Sequence, residues 1–208
     1  VSITSVSPVR SGSGTLRGPH DHREAAGFCQ PFVDGPDNNP ISTAEDVFLH
    51  LINNARRSVH ITTPYLAIDE PMRQALCSAG DSGVDVRLLL PGIPDHKFAY
   101  LAAQSHYGEL LVHRVKIYIY EPGLLHGKTV LSDGEAAFVG SVNMDYRSFQ
   151  LHFECGTVLY GVPAIEGLAE DIQRITDCSR RVTYQEWKSR PWYRKLLSTL
   201  LRLFEMWM

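Results

Sequence analysis

Apolar residues along this chain recur at two different periods, and each change of period marks a new element. After Ser42, the positions Val47, Leu51, Ile52 and Ala55 follow at helical intervals, and Ser42 with Glu45 has capping-box spacing. "SVHITTPY" (58–65) reads as a strand ending at Pro64. "DEPMRQALCSAG" (69–80) reads as a helix, with Pro71 in its first turn and Gly80 at its end. "VDVRLLL" (84–90) is an apolar strand closed by "PGIP", residues 95–112 are helical, and "VKIYIY" (115–120) is a strand. Strands at about 127–132 and 136–141 flank Asp133-Gly134, a hairpin signal. "ECGTVLY" (154–160) adds another strand, and Ile165, Leu168, Ala169, Ile172 and Ile175 share one face of a helix over 163–178. Strands alternating with helices, then consecutive strands, then helices, predict an α/β fold with a mixed sheet flanked by helices.

The ends of the chain follow other rules. Residues 1–37 are rich in Ser, Gly, Pro and Thr and read as a flexible arm. His20, Asp21 and His22 have metal-binding chemistry, but in a loose arm they read as solvated side chains. "DGPDNNP" (34–40) is a turn or loop. The folded domain is expected over 38–180 and a helical tail over 181–208. As a helix, 190–208 sets Leu196, Leu200, Leu203 and Trp207 along one side, with Leu197, Leu201 and Phe204 beside them. Arg194, Ser198, Arg202 and Glu205 form its narrower polar stripe. A helix packed on the domain and an amphipathic helix seated at a membrane surface fit this pattern equally.

Composition narrows the function. The 208 residues are 44% hydrophobic, enough for one domain with a core. A net charge of −3 argues against a chain-wide nucleic-acid binder. The four cysteines are scattered without metal spacing and read as reduced thiols. No apolar run is long enough to span a bilayer. The chain opens on Val1 with no signal-peptide pattern, which points to a processed form or a fragment.

The chemistry gathers in "LHGKTVLSDGEAAFVGSVN" (125–143). Strand side chains alternate, so His126 and Lys128 share a face, as do Ser141 and Asn143. Lysine supplies a point charge for phosphate oxygens, Ser and Asn add hydrogen-bonding groups, and Gly140 lets the backbone come close. A histidine among them can serve as a nucleophile or a proton carrier. The set suits phosphoryl transfer without a metal or cofactor, the lysine and polar donors acting as the electrostatic stabiliser. A lone HxK would be a chance pair on a half-buried strand, but here six positions keep one spacing, HxKxxxxDx6GSxN.

That spacing resembles the signature of the phospholipase D superfamily. Over about residues 35–204 the chain is similar to the C-terminal half of bacterial cardiolipin synthases, through "TPYLAIDEPMRQAL", "SGVDVRLLLPGIPDHKF", "VKIYIYEPGLLHGKT", "VGSVNMDYRSFQLHFE" and "EWKSRPW". The resemblance implies a phospholipase D-like fold. It also implies a phosphatidyltransferase that joins two phosphatidylglycerols into cardiolipin and releases glycerol. By position, His126 is its catalytic histidine, Lys128 binds phosphate, and Ser141 and Asn143 line the phosphate pocket. Glu154 matches an acid that orients the histidine, and Asp133 is the motif acid, better suited to supporting the hairpin than to carrying protons. Tyr65 and Arg147 are further candidates, for which a packed aromatic and a structural arginine are equally good readings.

The family uses two such motifs, one histidine attacking phosphorus and the other passing protons, and by analogy His126 is the acid/base. This chain holds one motif. His50, His60, His96, His106, His113 and His152 lack the HxK spacing and read as ordinary residues. Arg114, Gly127 and His152 depart from the family's usual Gly, Ala and Asn, and Pro31 interrupts the strand expected before "GPD". The chain is then either half of an enzyme or one of two copies paired about a twofold axis. Implied partners are phosphatidylglycerol, a membrane surface and a second motif-bearing half, with no nucleic acid; the implied place is the cytoplasmic face of a bacterial inner membrane. The rival readings are a phosphodiesterase or nuclease acting as a homodimer and an inactive membrane-associated fragment. The net charge and "NMDYRSF" argue against the nuclease, and the intact motif argues against the inactive fragment.

Overall fold

A computed structural model describes residues 27–36 and 42–202. In chain order the elements are β1 (Phe28–Asp34), α1 (Thr43–Asn53), β2 (Ser58–Thr62), β3 (Leu66–Ala67), α2 (Glu70–Asp81), β4 (Asp85–Pro91), α3 (Lys97–Ala103), α4 (Tyr107–Val112) and β5 (Lys116–Tyr120). They continue as β6 (Thr129–Ser132), β7 (Ala136–Gly140), β8 (Met144–Asp145), α5 (Tyr146–Gln150), β9 (Glu154–Tyr160), α6 (Ala164–Asp177), β10 (Ser179–Val182), α7 (Tyr184–Lys188) and α8 (Trp192–Arg202).

Eight strands form one mixed sheet in the order β1-β9-β7-β6-β2-β4-β5-β10. β2, β4 and β5 run parallel, and every other pair in it is antiparallel. Alternation along the strands feeds two cores. Val59, Ile61, Val86, Leu88 and Ile117 point into the larger one, with Phe48 of α1 and Met72 and Leu76 of α2. Leu89, Leu131 and Ala137 point the other way and meet Ile165 and Ile172 of α6. Phe138 is fully buried against Phe48, ring centroids 4.9 Å apart, and truncation to Ala there costs about 3–5 kcal/mol.

The expected α/β architecture is present, with five local differences. β1 lies inside the supposed arm, and Pro31 sits within it, opposite Thr157. β1 is an edge strand, where proline's missing N–H is tolerated. The helix expected over 95–112 is broken into α3 and α4 by tight turns, Ser105 N–H to Ala102 O and His106 N–H to Ala103 O. Ser42 caps α1 through Glu45 N–H at 3.1 Å, but the Glu45 carboxylate bonds Gln150 Nε2 at 2.8 Å instead of closing the box. The complete capping box is Thr183 with Glu186. The boundary drawn after residue 180 falls within β10, whose Val182 belongs to the larger core.

α8 packs on α3 with Ser198 buried, so a residue of the expected polar stripe faces inward. Trp192, Tyr193, Leu196, Leu197 and Leu200 are exposed. His20, Asp21, His22, most of the 34–40 loop, and Leu203, Phe204, Glu205 and Trp207 lie outside the described residues, as do the side chains of Arg194 and Arg202.

Candidate functional site

The β6–β7 hairpin carries the motif. Its turn is built by Asp133 and Gly134, both with positive φ (54° and 71°), the backbone that a two-residue Asp-Gly hairpin uses. His126 and Lys128 lie just before β6, outside regular secondary structure, and the segment is still tied to β7: Gly140 N–H reaches Lys128 O at 3.3 Å. A side chain at Gly140 would meet Cys155 O at 2.4 Å, so the close approach read from the sequence is real. His126 is exposed. Lys128 is half-buried and its Nζ donates to His126 O at 2.9 Å. Burial lowers the Lys128 pKa, while the negative charges of Glu154, Asp95 and Asp145 work the other way.

Beyond β7 the chain is pinned in two places. Ser141 Oγ donates to the carboxylate of Glu154, which is buried, and Ser141 Oγ accepts Cys155 N–H at 3.0 Å. Asn143 Nδ2 donates to Ser148 Oγ at 3.0 Å, and Asn143 Oδ1 is buried without a partner. Asp145 caps α5 by accepting Ser148 N–H at 2.7 Å, and burial raises its pKa. A second, two-stranded sheet ties this segment to the one after β2: β3 pairs with β8, Leu66 opposite Met144. Thr63 Oγ1 strengthens the tie by accepting Met144 N–H at 3.0 Å and donating to Tyr65 O at 2.8 Å.

That tie brings Tyr65 to the motif. Its ring stands edge-on to His126, with centroids 6.5 Å apart. Its hydroxyl donates to Asp95, and burial followed by that bond raises its pKa. Burial pushes the Asp95 carboxyl up, but the bonds from Tyr65 and from His96 N–H outweigh it and leave the pKa low. A cavity of about 220 Å³ opens beside Tyr65, bounded by β3, α3, Asn143, Asp145, Arg147 and His152.

Ser141 and Glu154 therefore stand together, Tyr65 stands against His126, and Tyr65, Asn143 and Arg147 share one cavity. One expectation differs. Glu154 bonds Ser141 and lies 3.8 Å from Nδ1 of His152, where the resemblance had it orienting His126. Asp133 is at the far end of the hairpin, where its carboxylate accepts the N–H groups of Arg56, Arg57 and Ser58 at 2.7–2.8 Å. It is five positions along the strand from Lys128, roughly 17 Å, too far for direct chemistry at the phosphate. His96 and His152, read as ordinary, line the cavity, and Asp95 holds Tyr65. The only sequence signal for Asp95 and His96 was their place in "PGIPDHKF".

Known proteins match this arrangement. The family model described as cardiolipin synthase, phospholipase D-like domain, matches residues 48–176. A cardiolipin synthase of Clostridium perfringens is 38% identical over 175 residues, 84% of this chain and 37% of its own length. The major cardiolipin synthase ClsA of Bacillus subtilis is 36% identical over 174 residues, 84% of this chain and 36% of its own. The chain thus spans little more than a third of the length of these relatives. Among solved structures, the phospholipase D family member Nuc from Salmonella typhimurium superposes with a TM-score of 0.63 at 19% identity, covering 75% of this chain and 99% of Nuc. With the motif on its hairpin and the family model matched across most of the sheet, the chain belongs to the phospholipase D-like domain family of the cardiolipin synthases.

Proposed function

We propose that this chain carries one of two motif-bearing halves of a phosphatidyltransferase that converts two phosphatidylglycerols into cardiolipin and glycerol. The observation that carries the reading is the juxtaposition of His126, backed by Tyr65, with a half-buried Lys128 in front of the Ser141–Asn143 segment. A desolvated ammonium is a strong electrostatic partner for a phosphate, and an exposed imidazole beside it can carry protons.

In the proposed reaction a histidine of the second half attacks phosphorus. A P–N bond forms, the bond to the departing glycerol oxygen breaks, and His126 gives that oxygen its proton. His126 then takes the proton of the incoming lipid's hydroxyl as its oxygen displaces the histidine. Lys128 and the second N–H of the Asn143 amide donate to the phosphate oxygens through both steps, and Ser141, whose proton goes to Glu154, fixes the segment that carries Asn143. The second half is either a companion segment or another copy of this chain. The exposed Trp192, Tyr193, Leu196, Leu197 and Leu200 of α8 support a seat on a membrane surface, and the likeness to bacterial cardiolipin synthases supports taking that surface as the cytoplasmic face of a bacterial inner membrane. Among the described residues no helix is long and apolar enough to cross that membrane.

The test is incubation of the protein with phosphatidylglycerol vesicles over a range of protein concentrations, with cardiolipin, phosphatidic acid and glycerol followed by mass spectrometry. Product rising more steeply than protein concentration is expected if two copies build the site. A folded, vesicle-bound protein that makes neither lipid would refute self-assembly and leave the companion segment as the second half.

A further inference from the structure

The His126 imidazole is exposed, and among the described residues no hydrogen bond fixes its ring; the bond that His126 does make is through its backbone carbonyl, to Lys128 Nζ. Glu154, the acid that the resemblance assigned to that ring, is taken up by Ser141. The orienting task falls to packing. The ring that stands against His126 is Tyr65, with centroids 6.5 Å apart and planes at 89°. That separation is inside the roughly 4.5–7 Å of edge-to-face pairs.

A ring can hold its neighbour only if it is held itself. The Tyr65 backbone is fixed on both sides: Thr63 Oγ1 donates to its carbonyl at 2.8 Å, and Leu66 and Ala67 after it pair with Met144 and Asp145. The side-chain torsions remain, and the bond from the hydroxyl to Asp95 removes that freedom. Asp95 is fixed in turn. His96 N–H donates to its other carboxylate oxygen at 2.8 Å, and His96 opens α3, which packs on β3 and α8. The His96 ring also stands beside Tyr65, with centroids 6.1 Å apart.

We propose that Asp95 is a positioning residue: by holding the Tyr65 hydroxyl it keeps the Tyr65 ring against His126 and so sets the direction in which that imidazole passes protons. It acts through Tyr65. The role rests on the proposed function, in which His126 moves the protons of the transfer, and adds to it the element that aims them.

Nuclear magnetic resonance of the full chain with ring-labelled histidine tests this without turnover. The His126 signal is the one that His126→Ala removes. Tyr65→Phe keeps a ring and the Asp95 charge but loses the bond. Asp95→Ala keeps the tyrosine and removes its anchor at an exposed position, away from the core. Each should move the His126 ring signals in the same direction, toward the position of a histidine free in solvent. The double variant should move them no further than the larger single shift, as expected of two groups that act through one bond. Signals that stay in place in either single variant, or shifts that add in the double, overturn the positioning role. On phosphatidylglycerol vesicles Tyr65→Phe should lower kcat about tenfold, the scale of one net hydrogen bond, with KM within about twofold because Lys128 and Asn143 still hold the phosphate. A raised KM at unchanged kcat would make Tyr65 a substrate contact and overturn the role. Shifts as expected, together with transfer that survives His126→Ala, keep the positioning role and count against the proposed function. Transfer by wild type with His126 signals indifferent to both variants counts against the positioning role alone.

Discussion

The two ends of the β6–β7 hairpin hold residues of the same motif in opposite conditions. At the turn, Asp133 sits among three backbone N–H groups, and Arg57 Nη2 donates to its carbonyl at 2.7 Å. At the open end, His126 is exposed, Lys128 has lost part of its hydration, and Asn143 Oδ1 is buried unpaired. The first end is complete and stabilises the fold. The second leaves an ammonium with one backbone acceptor and an imidazole open to solvent, so a ligand can add contacts there. Position along the hairpin, and not residue type, separates the motif's structural acid from the groups proposed to carry its chemistry.

The sharpest way to break this comparison is His126→Ala. The side chain is exposed, so the melting temperature should stay put, while transfer should fall by about 10²–10⁴-fold, the usual worth of a positioned acid/base. A variant that retains activity would remove His126 from the mechanism. Lys128→Met is the next largest. It should abolish binding of glycerol phosphate and leave thermal stability unchanged or slightly raised, because it removes a partly desolvated cation. A clear drop in stability would place Lys128 on the structural side of the divide.

The sequence exposed these two ends unequally. The turn was legible because Asp-Gly is a local signal, and the motif was legible because its spacing lies on one hairpin. β3 and β8 were not, since a two-residue bridge has no period to detect and its partner is far along the chain. β1 was hidden by Pro31, because nothing local says that a strand will lie at an edge. The break between α3 and α4 was hidden because Ala103, Tyr107 and Leu110 face the same core across it and keep the apolar pattern continuous. The cavity draws on β3, α3 and the chain from Asn143 to His152, so Asp145 and His152 acquire meaning only after folding.

Asp133→Asn probes the structural end and should have a smaller effect. The amide keeps one acceptor oxygen but loses the charge, at an expected cost of about 1–2 kcal/mol, or roughly 2–8 °C in melting temperature, with turnover per folded molecule intact. The folded Asp133 pKa lies below the usual 3.8: burial pushes it up, but the N–H bonds of Ser58, Arg56 and Arg57 outweigh that. Its contribution is therefore present above the unfolded pKa and is lost as pH falls through the folded one. The gap between wild type and variant should close in strong acid, and a gap that persists there would mean the substitution acts through packing.

Glu45→Gln tests the smallest effect, at the helix that flanks the site. Burial, then the hydrogen bond and the charge of Asp69, push the Glu45 carboxyl from 4.5 up to about 7. A carboxyl whose folded pKa is raised stabilises the fold below its unfolded pKa, and that stability is lost as pH rises from 4.5 through about 7. Above that range two carboxylates face each other between α1 and the start of α2, while Gln150 Nε2 links Glu45 to the end of α5. Glutamine can still bond Asp69 and never ionises. The variant should match wild type near pH 4.5 and melt at a higher temperature at pH 8. Equal melting of wild type and Glu45→Gln at both pH values would mean that the two carboxyls separate in solution.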